Sequence, residues 1–410
     1  MGRENGIASI SELLTRCEKV VEGLRTMGID PDSQKSLTRK WPLNHTAKLV
    51  CRERTTLKKI ETDLEQQKKL DPIVKTEKQR VIGYSLTQIN QFRKHFKTYP
   101  HRSFDENPVI IAVQSFKGGV GKSVTSVTAA QYLAMKGYRV LLVDMDSQAS
   151  STATFGLIPD KDISSGETVL PYFDSEQPTL HYAVRKTYWE MLDIIPANLQ
   201  VYKLESGISG YVASINNIEE KLDVFFTLRH GLDTVKDNYD VVIIDSPPAL
   251  GMISINILCA ADGIIVPCPP KIYDFFSTVQ YFRMVKETLE KIATDKEYSF
   301  IKLLPTQYQR RKGSVQNQML DIMETVFENR LLPFQFRETA EIHNASMEFK
   351  TVFEDSHPQK RADWIMTNVG MMIEAEILSQ WPSKQRQLHE LIGELESRYQ
   401  EQMRMDGEEE

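Results

Sequence analysis

An apolar run, Val109 to Val113, leads directly into "QSFKGGVGKSVTSVTAAQYLAMKGY", and a second apolar run then ends on two aspartates in "VLLVDMDSQAS". Strand, glycine-rich loop, helix and strand in that order form one βαβ unit. Its strands lie parallel, and its loop sits at their carboxyl end. Gly118, Gly119 and Gly121 let the backbone approach an anionic oxygen without a Cβ in the way. Successive N–H groups, with the positive end of a helix starting near Lys122, make a cradle for phosphate. Lys122 adds an ammonium and Ser123 a hydroxyl suited to a divalent cation. The strict G-x-x-x-x-G-K-[ST] spacing is not met, because Phe116 holds the first glycine position. The loop also carries a second lysine, Lys117, where a phosphate cradle needs one.

Apolar strand-like runs recur at 109–115, 139–144, 192–195, 240–245, 263–267 and 300–304, with helical spacing between them. Continuous apolar strands alternating with helices predict a doubly wound α/β domain with a mostly parallel sheet, over about 105–375. Asp144 and Asp146 close one strand, and Asp245 closes another in "YDVVIIDSPPAL". Carboxylates at strand ends beside a phosphate loop suit a magnesium shell and an attacking water.

The N-terminal third has a different texture. The chain carries 50 Lys and Arg against 56 Asp and Glu. Residues 33–102 alone hold 17 against 6, so the rest of the chain holds 33 against 50. A basic block in an acidic protein is the footprint of a polyanion-binding module. Within it, "WPLNHTAKLVCRERTTLKKIETD" reads as a short helix, a turn near Cys51 and a second helix from about Glu53 to Leu64. Leu57 and Ile60 face inward, leaving Arg52, Arg54, Thr55, Thr56, Lys58 and Lys59 outside, as in a helix-turn-helix. Two short strands around Lys75–Gln79 would form a wing. Ser85 and Gln88 have the spacing of a capping box, and "YPHRSFDENP" reads as a polar linker. Before the module, residues 6–27 carry an apolar stripe at helical spacing. It either pairs with a second copy of itself or packs on its own domain. The boundaries expected are 1–32, 33–104, 105–375 and 376–410.

"KGGVGKS", "DMDSQAS", "IIDSPP" and "NILCAAD", in this order, resemble the deviant Walker A ATPases of the ParA/MinD group. With the basic helix-turn-helix and wing, the chain is similar to type Ia ParA partition ATPases over about residues 39–375. The resemblance implies a weak Mg2+-dependent ATPase that binds ATP between two subunits. Lys117 would reach the phosphates of the other protomer, and Lys122 its own. Asp146 would orient the water. Ser123, Asp144 and Asp245 would surround magnesium. Residues Lys117 to Val124, including Val120, would contact ATP, with Asn256, Pro269, Pro270 and Asp274 at the adenine. Arg337 resembles the family's arginine for non-specific DNA contact, and Arg310, Arg311 and Lys312 cluster in a basic loop. The implied partners are double-stranded DNA, a ParB-type centromere-binding protein and a second copy of the chain, extending to filaments, on the nucleoid in the cytoplasm. Two departures stand out. Ser147 replaces the usual proline after Asp146, and Cys51 replaces the usual turn glycine, so that turn is expected to avoid a left-handed conformation.

Other classes fit less well. No apolar run approaches the ~20 residues that span a bilayer, and the start of the chain lacks a secretory or myristoylation pattern. A MinD-like membrane-attached ATPase needs a basic amphipathic C-terminus. Residues 384–410 instead hold 4 basic against 8 acidic residues. Cys17, Cys51, Cys259 and Cys268 are too scattered to ligate a cluster and read as reduced thiols.

Overall fold

The strand β1 (Val109–Val113) lies at the centre of an eight-stranded sheet because every one of its residues is apolar and both its faces are covered. The structure, a computed structural model, describes residues 6–28, 35–75, 81–309, 313–347, 350–355 and 358–408. The remaining strands are β2 (Val140–Asp144), β3 (Arg185–Lys186), β4 (Leu192–Ile195), β5 (Val241–Asp245), β6 (Gly263–Cys268), β7 (Phe300–Tyr308) and β8 (Phe336–Arg337). Their order is β3-β4-β2-β5-β1-β6-β7-β8, and every pairing is parallel except β3 with β4. The six apolar runs of the sequence are the six inner strands. The two edge strands escaped it because two residues carry no period.

Register puts the functional ends together. Val113 pairs with Asp245, and Asp144 also pairs with Asp245, so β1, β2 and β5 stop level with one another. The order reverses at β1, which opens a crevice at its carboxyl end. Each fully buried Ile, Val or Leu of these strands adds roughly 1.5–3 kcal/mol. That burial makes the strand ends rigid mounts for the loops beyond them.

Ahead of the sheet come α1 (Gly6–Gly28), α2 (Leu43–Val50), α3 (Arg54–Gln66) and α4 (Leu86–Phe96). Ile10 and Leu14 of the expected α1 stripe are exposed. The α2–α3 turn is as read, with Leu57 buried and Arg54, Thr55, Lys58 and Lys59 outside. Its geometry corrects the expectation for Cys51, which is left-handed at φ 54°. A non-glycine residue there costs about 1–2 kcal/mol. Two cap bonds offset it, from Cys51 N to Lys48 O at 3.1 Å and from Arg52 N to Ala47 O at 3.0 Å. Cys51 is exposed, with a free thiol. The capping box at Ser85 and Gln88 forms as expected. Lys75 is bridged antiparallel to Val81; residues 76–80, most of the expected wing, lie outside the described residues.

The basic module is not a tethered bead. Trp41, Leu57, Ile89 and Phe92 belong to the same apolar cluster as β1 and the helix α5 (Lys122–Lys136). Arg93 is fully buried and donates to Leu49 O (3.2 Å), Asn90 Oδ1 (2.7 Å) and Met135 O (2.6 Å). Gly137, at φ +101°, ends α5, and a Cβ there would stand 3.0 Å from the Arg93 guanidinium. The segment expected as a linker is also pinned. Asp240 accepts from His101 Nδ1 at 2.8 Å, from Arg102 N at 3.2 Å and from Arg139 Nη2 at 2.7 Å.

Candidate functional site

The loop between β1 and α5 turns on glycines in the left-handed region, Gly119 at φ 72° and Gly121 at φ 95°. No side chain caps the start of α5, so the N–H groups of its first turn remain available to an anion. Lys122 is buried and folds back, its Nζ 3.1 Å from Lys117 O. Burial lowers the pKa of this ammonium, and the Asp245 and Asp146 charges act in the opposite direction. Lys117 is different. Its side chain is 44% exposed and its Nζ pairs with Asp274 Oδ1 at 2.7 Å. The two lysines of one loop therefore stand in two environments, one inside the cradle and one at its rim.

A cavity of about 490 Å³ opens over the loop. Gly118, Gly119, Gly121, Lys122, Ser123 and Val124 line it, with Asp146 and Pro248. Thr306, Gln307 and the stretch Phe336 to Thr339 complete the lining. The end of β7 grips the loop. Thr306 Oγ1 donates to Val120 O at 2.8 Å, and Gln307 Nε2 donates to Gly119 O. Gln307 is itself left-handed at φ 52°, beside the irregularity that joins β7 to β8. No motif marks Thr306 or Gln307 in the sequence; the one signal was their place just past an apolar strand.

The three aspartates have separate work. Asp245 is fully buried and accepts from Ser151 Oγ (2.7 Å) and Ser126 Oγ (3.3 Å), with the Ser123 hydroxyl bonded to it as well. Asp144 is equally buried, but Thr152 N and Oγ1 occupy one of its oxygens and Asp146 N the other. Asp144, expected in the magnesium shell, also anchors the 146–152 loop through these three bonds. Asp146 lines the cavity and accepts from Gln148 N at 2.9 Å. The loop it heads passes through Ala149, left-handed at φ 52°, so Ser147 in place of proline leaves a tight, bonded turn. Desolvation raises the Asp144 and Asp245 carboxyls above their ordinary range, and Asp245 adds charge repulsion to Asp144. A cation beside the Ser123 hydroxyl would relieve that repulsion, so the donor set fits a divalent ion at Ser123 and Asp245.

Other expected residues lie elsewhere. Asn256 is fully buried between helices, accepting from Leu228 N at 3.2 Å and donating to Met252 O at 3.3 Å, away from the cavity lining. Pro269 and Pro270 are buried and end β6, leading into the helix Ile272–Ile292. Asp274, in the first turn of that helix, holds Lys117 rather than lining the cavity. Arg337, expected at non-specific DNA, is 8% exposed, lies with its guanidinium 5.7 Å from the Tyr308 ring centroid and lines the cavity. On α3, Arg54 reaches Asn44 Oδ1 at 2.9 Å and Lys58 and Lys59 are exposed, while Arg52, in the turn before it, stacks on Phe96 at 5.1 Å. Thr56 is half-buried. Arg310, Arg311 and Lys312 lie outside the described residues. Among the described residues, no helix is long and apolar enough to cross a membrane.

The AAA domain family model matches residues 109–299. Protein SopA of Escherichia coli (strain K12) is 33% identical over 335 residues, which is 81% of this chain and 84% of that protein. The sporulation initiation inhibitor protein Soj of Bacillus subtilis is 34% identical over 186 residues, 45% of this chain and 68% of Soj. Two solved structures share the fold. A putative plasmid partition protein of Borrelia burgdorferi bound to AMPPNP gives a TM-score of 0.52 at 24% identity, covering 65% of this chain and 98% of that one. Apo McdA of Cyanothece gives 0.54 at 21% identity, covering 65% and 99%.

Proposed function

Because the chain belongs to the ParA family of partition ATPases, we propose that it binds ATP with Mg2+ in this cavity and closes into a dimer across two nucleotides. The observation that carries the reading is the division between the two lysines: Lys122 is buried in the cradle, and Lys117 stands on its rim. Lys122 would bear on the phosphates of its own protomer and Lys117 on those of the other. ATP then links the subunits, and nucleotide state sets dimer affinity. Ser123 and Asp245 would hold the magnesium, which neutralises phosphate charge when bound. Asp146 would orient the attacking water. Thr306 and Gln307 would brace the phosphate loop they bond, and the Phe336–Thr339 stretch would line the rest of the nucleotide cavity.

Hydrolysis in this reading is slow, is stimulated by a ParB-type partner, and ends the DNA-bound state. Arg52, Arg54, Thr55, Thr56, Lys58 and Lys59 would bind an operator and repress the chain's own operon. Arg310, Arg311 and Lys312 would serve non-specific, phosphate-directed contacts on the nucleoid, where dimers extend into filaments. The exposed stripe of α1 supports a further contact between copies. Sedimentation with ADP, ATP and a slowly hydrolysed analogue, each with and without random duplex DNA, tests the scheme. Analogue-dependent dimers that bind the duplex support it, and monomers under every condition refute it.

A further inference from the structure

We propose that Asp274 is a positioning residue for Lys117: it parks the ammonium on its own protomer, and that hold sets how readily the dimer closes. The inference rests on reading Lys117 as the cation that crosses to the other subunit. Lys117 Nζ and Asp274 Oδ1 are 2.7 Å apart, but the partners are unequally placed. The Asp274 side chain is 7% exposed and fixed in the first turn of the helix Ile272–Ile292, while Lys117 is 44% exposed and sits on the loop. When the pair opens, the lysine is therefore the member that leaves. A nearby substitute is already engaged, since Lys271 Nζ donates to Gln307 Oε1 at 3.0 Å. Departure of Lys117 strands a buried carboxylate, which is unfavourable. The parked state is thereby the resting one, and the triphosphate of a second copy must compete with Asp274 for the same ammonium.

The arithmetic is that of a competent fraction. If only a fraction of Lys117 is unparked, apparent affinity falls by that fraction. Each dimer takes one lysine from each copy, so a tenfold hold weakens closure by about a hundredfold. Asp274 lies outside the cavity lining, so the hold acts on association between copies and not on the base or phosphates of its own protomer.

Equilibrium sedimentation of the full chain with a slowly hydrolysed ATP analogue reads the effect. Asp274→Asn, which keeps shape and removes charge, is expected to lower the dimer Kd by at least about tenfold. The double variant Lys117→Ala with Asp274→Asn is expected to stay as monomeric as Lys117→Ala alone; a gain in association from Asp274→Asn that persists without Lys117 would show that Asp274 acts by another route and overturn the inference. Asp274→Ser serves in its place if melting shows that the Asn variant misfolds. A dimer Kd that is unchanged or higher in the Asp274 variant overturns the inference. So does a loss of analogue affinity in the monomer without any gain in association, which would assign Asp274 to the nucleotide. Failure of the wild type to dimerise, or normal dimerisation by Lys117→Ala, instead removes the cross-subunit reading beneath it.

Discussion

Arg93 Nη2 and the Met135 carbonyl stand 2.6 Å apart, fastening the basic module to the last turn of the helix that begins at Lys122. Burial lowers the Arg93 pKa to about 10, so the guanidinium keeps its charge at neutral pH. Arg93→Met would leave the Leu49 and Met135 carbonyls and the Asn90 amide oxygen without their donor. Each buried unsatisfied group costs about 1–3 kcal/mol, so a loss of about 3 kcal/mol in urea unfolding is expected. Limited trypsin digestion should then release the module from the ATPase core.

Lys122→Ala is expected to abolish nucleotide binding. The ammonium is the buried cation of the cradle, and helix N–H groups alone do not replace it. Isothermal titration with an ATP analogue checks this, and binding within tenfold of the wild type would refute the assignment.

Asp146 stands at the cavity with one oxygen held by Gln148 N. Asp146→Ala should lower kcat by about 10²–10⁴-fold, the range of a positioned acid–base group, and keep analogue binding. Phosphate release measured beside binding separates the two effects.

Arg337→Ala is expected to weaken analogue binding by about tenfold, because the residue buttresses the cavity from beneath Tyr308. The salt dependence of duplex binding should keep its slope. A slope reduced by about 1, with analogue affinity intact, would return Arg337 to the DNA surface.

Asp240 gives a pH signature. Burial acts to raise its pKa, but hydrogen bonds from His101, the Arg139 side chain and the Arg139 backbone outweigh it and hold the carboxyl below its ordinary range. A depressed folded pKa contributes stability that is present above the unfolded value of about 3.9 and is lost as pH falls below it. Asp240→Asn should therefore destabilise the protein at pH 7, with the gap from wild type closing as pH falls from about 4 toward 2. Urea midpoints across that range decide it, and a gap independent of pH would refute the assignment.

The inner sheet and the phosphate loop were legible because each rests on local chemistry: apolar runs such as "VVIID", and glycines that tolerate positive φ. Residues whose position depends on tertiary packing were not. The burial of Asn256 between helices and of Arg337 against Tyr308 depends on packing that no local pattern states. Asp144 and Asp245 look equivalent at their strand ends, and only the structure shows that Asp144 also holds the 146–152 loop. Thr306 and Gln307 reach the loop across 186 and 188 residues of sequence, a separation over which no spacing rule operates. Cys51 shows the reverse case, in which two backbone bonds outweighed a local preference that the sequence states clearly.

The outer rows of the sheet are two residues each, Arg185–Lys186 on one flank and Phe336–Arg337 on the other. So short a border offers almost no ladder for a further chain to extend, and one flank shows a lysine to solvent. Any contact between copies would therefore have to use loops and helices rather than added strands.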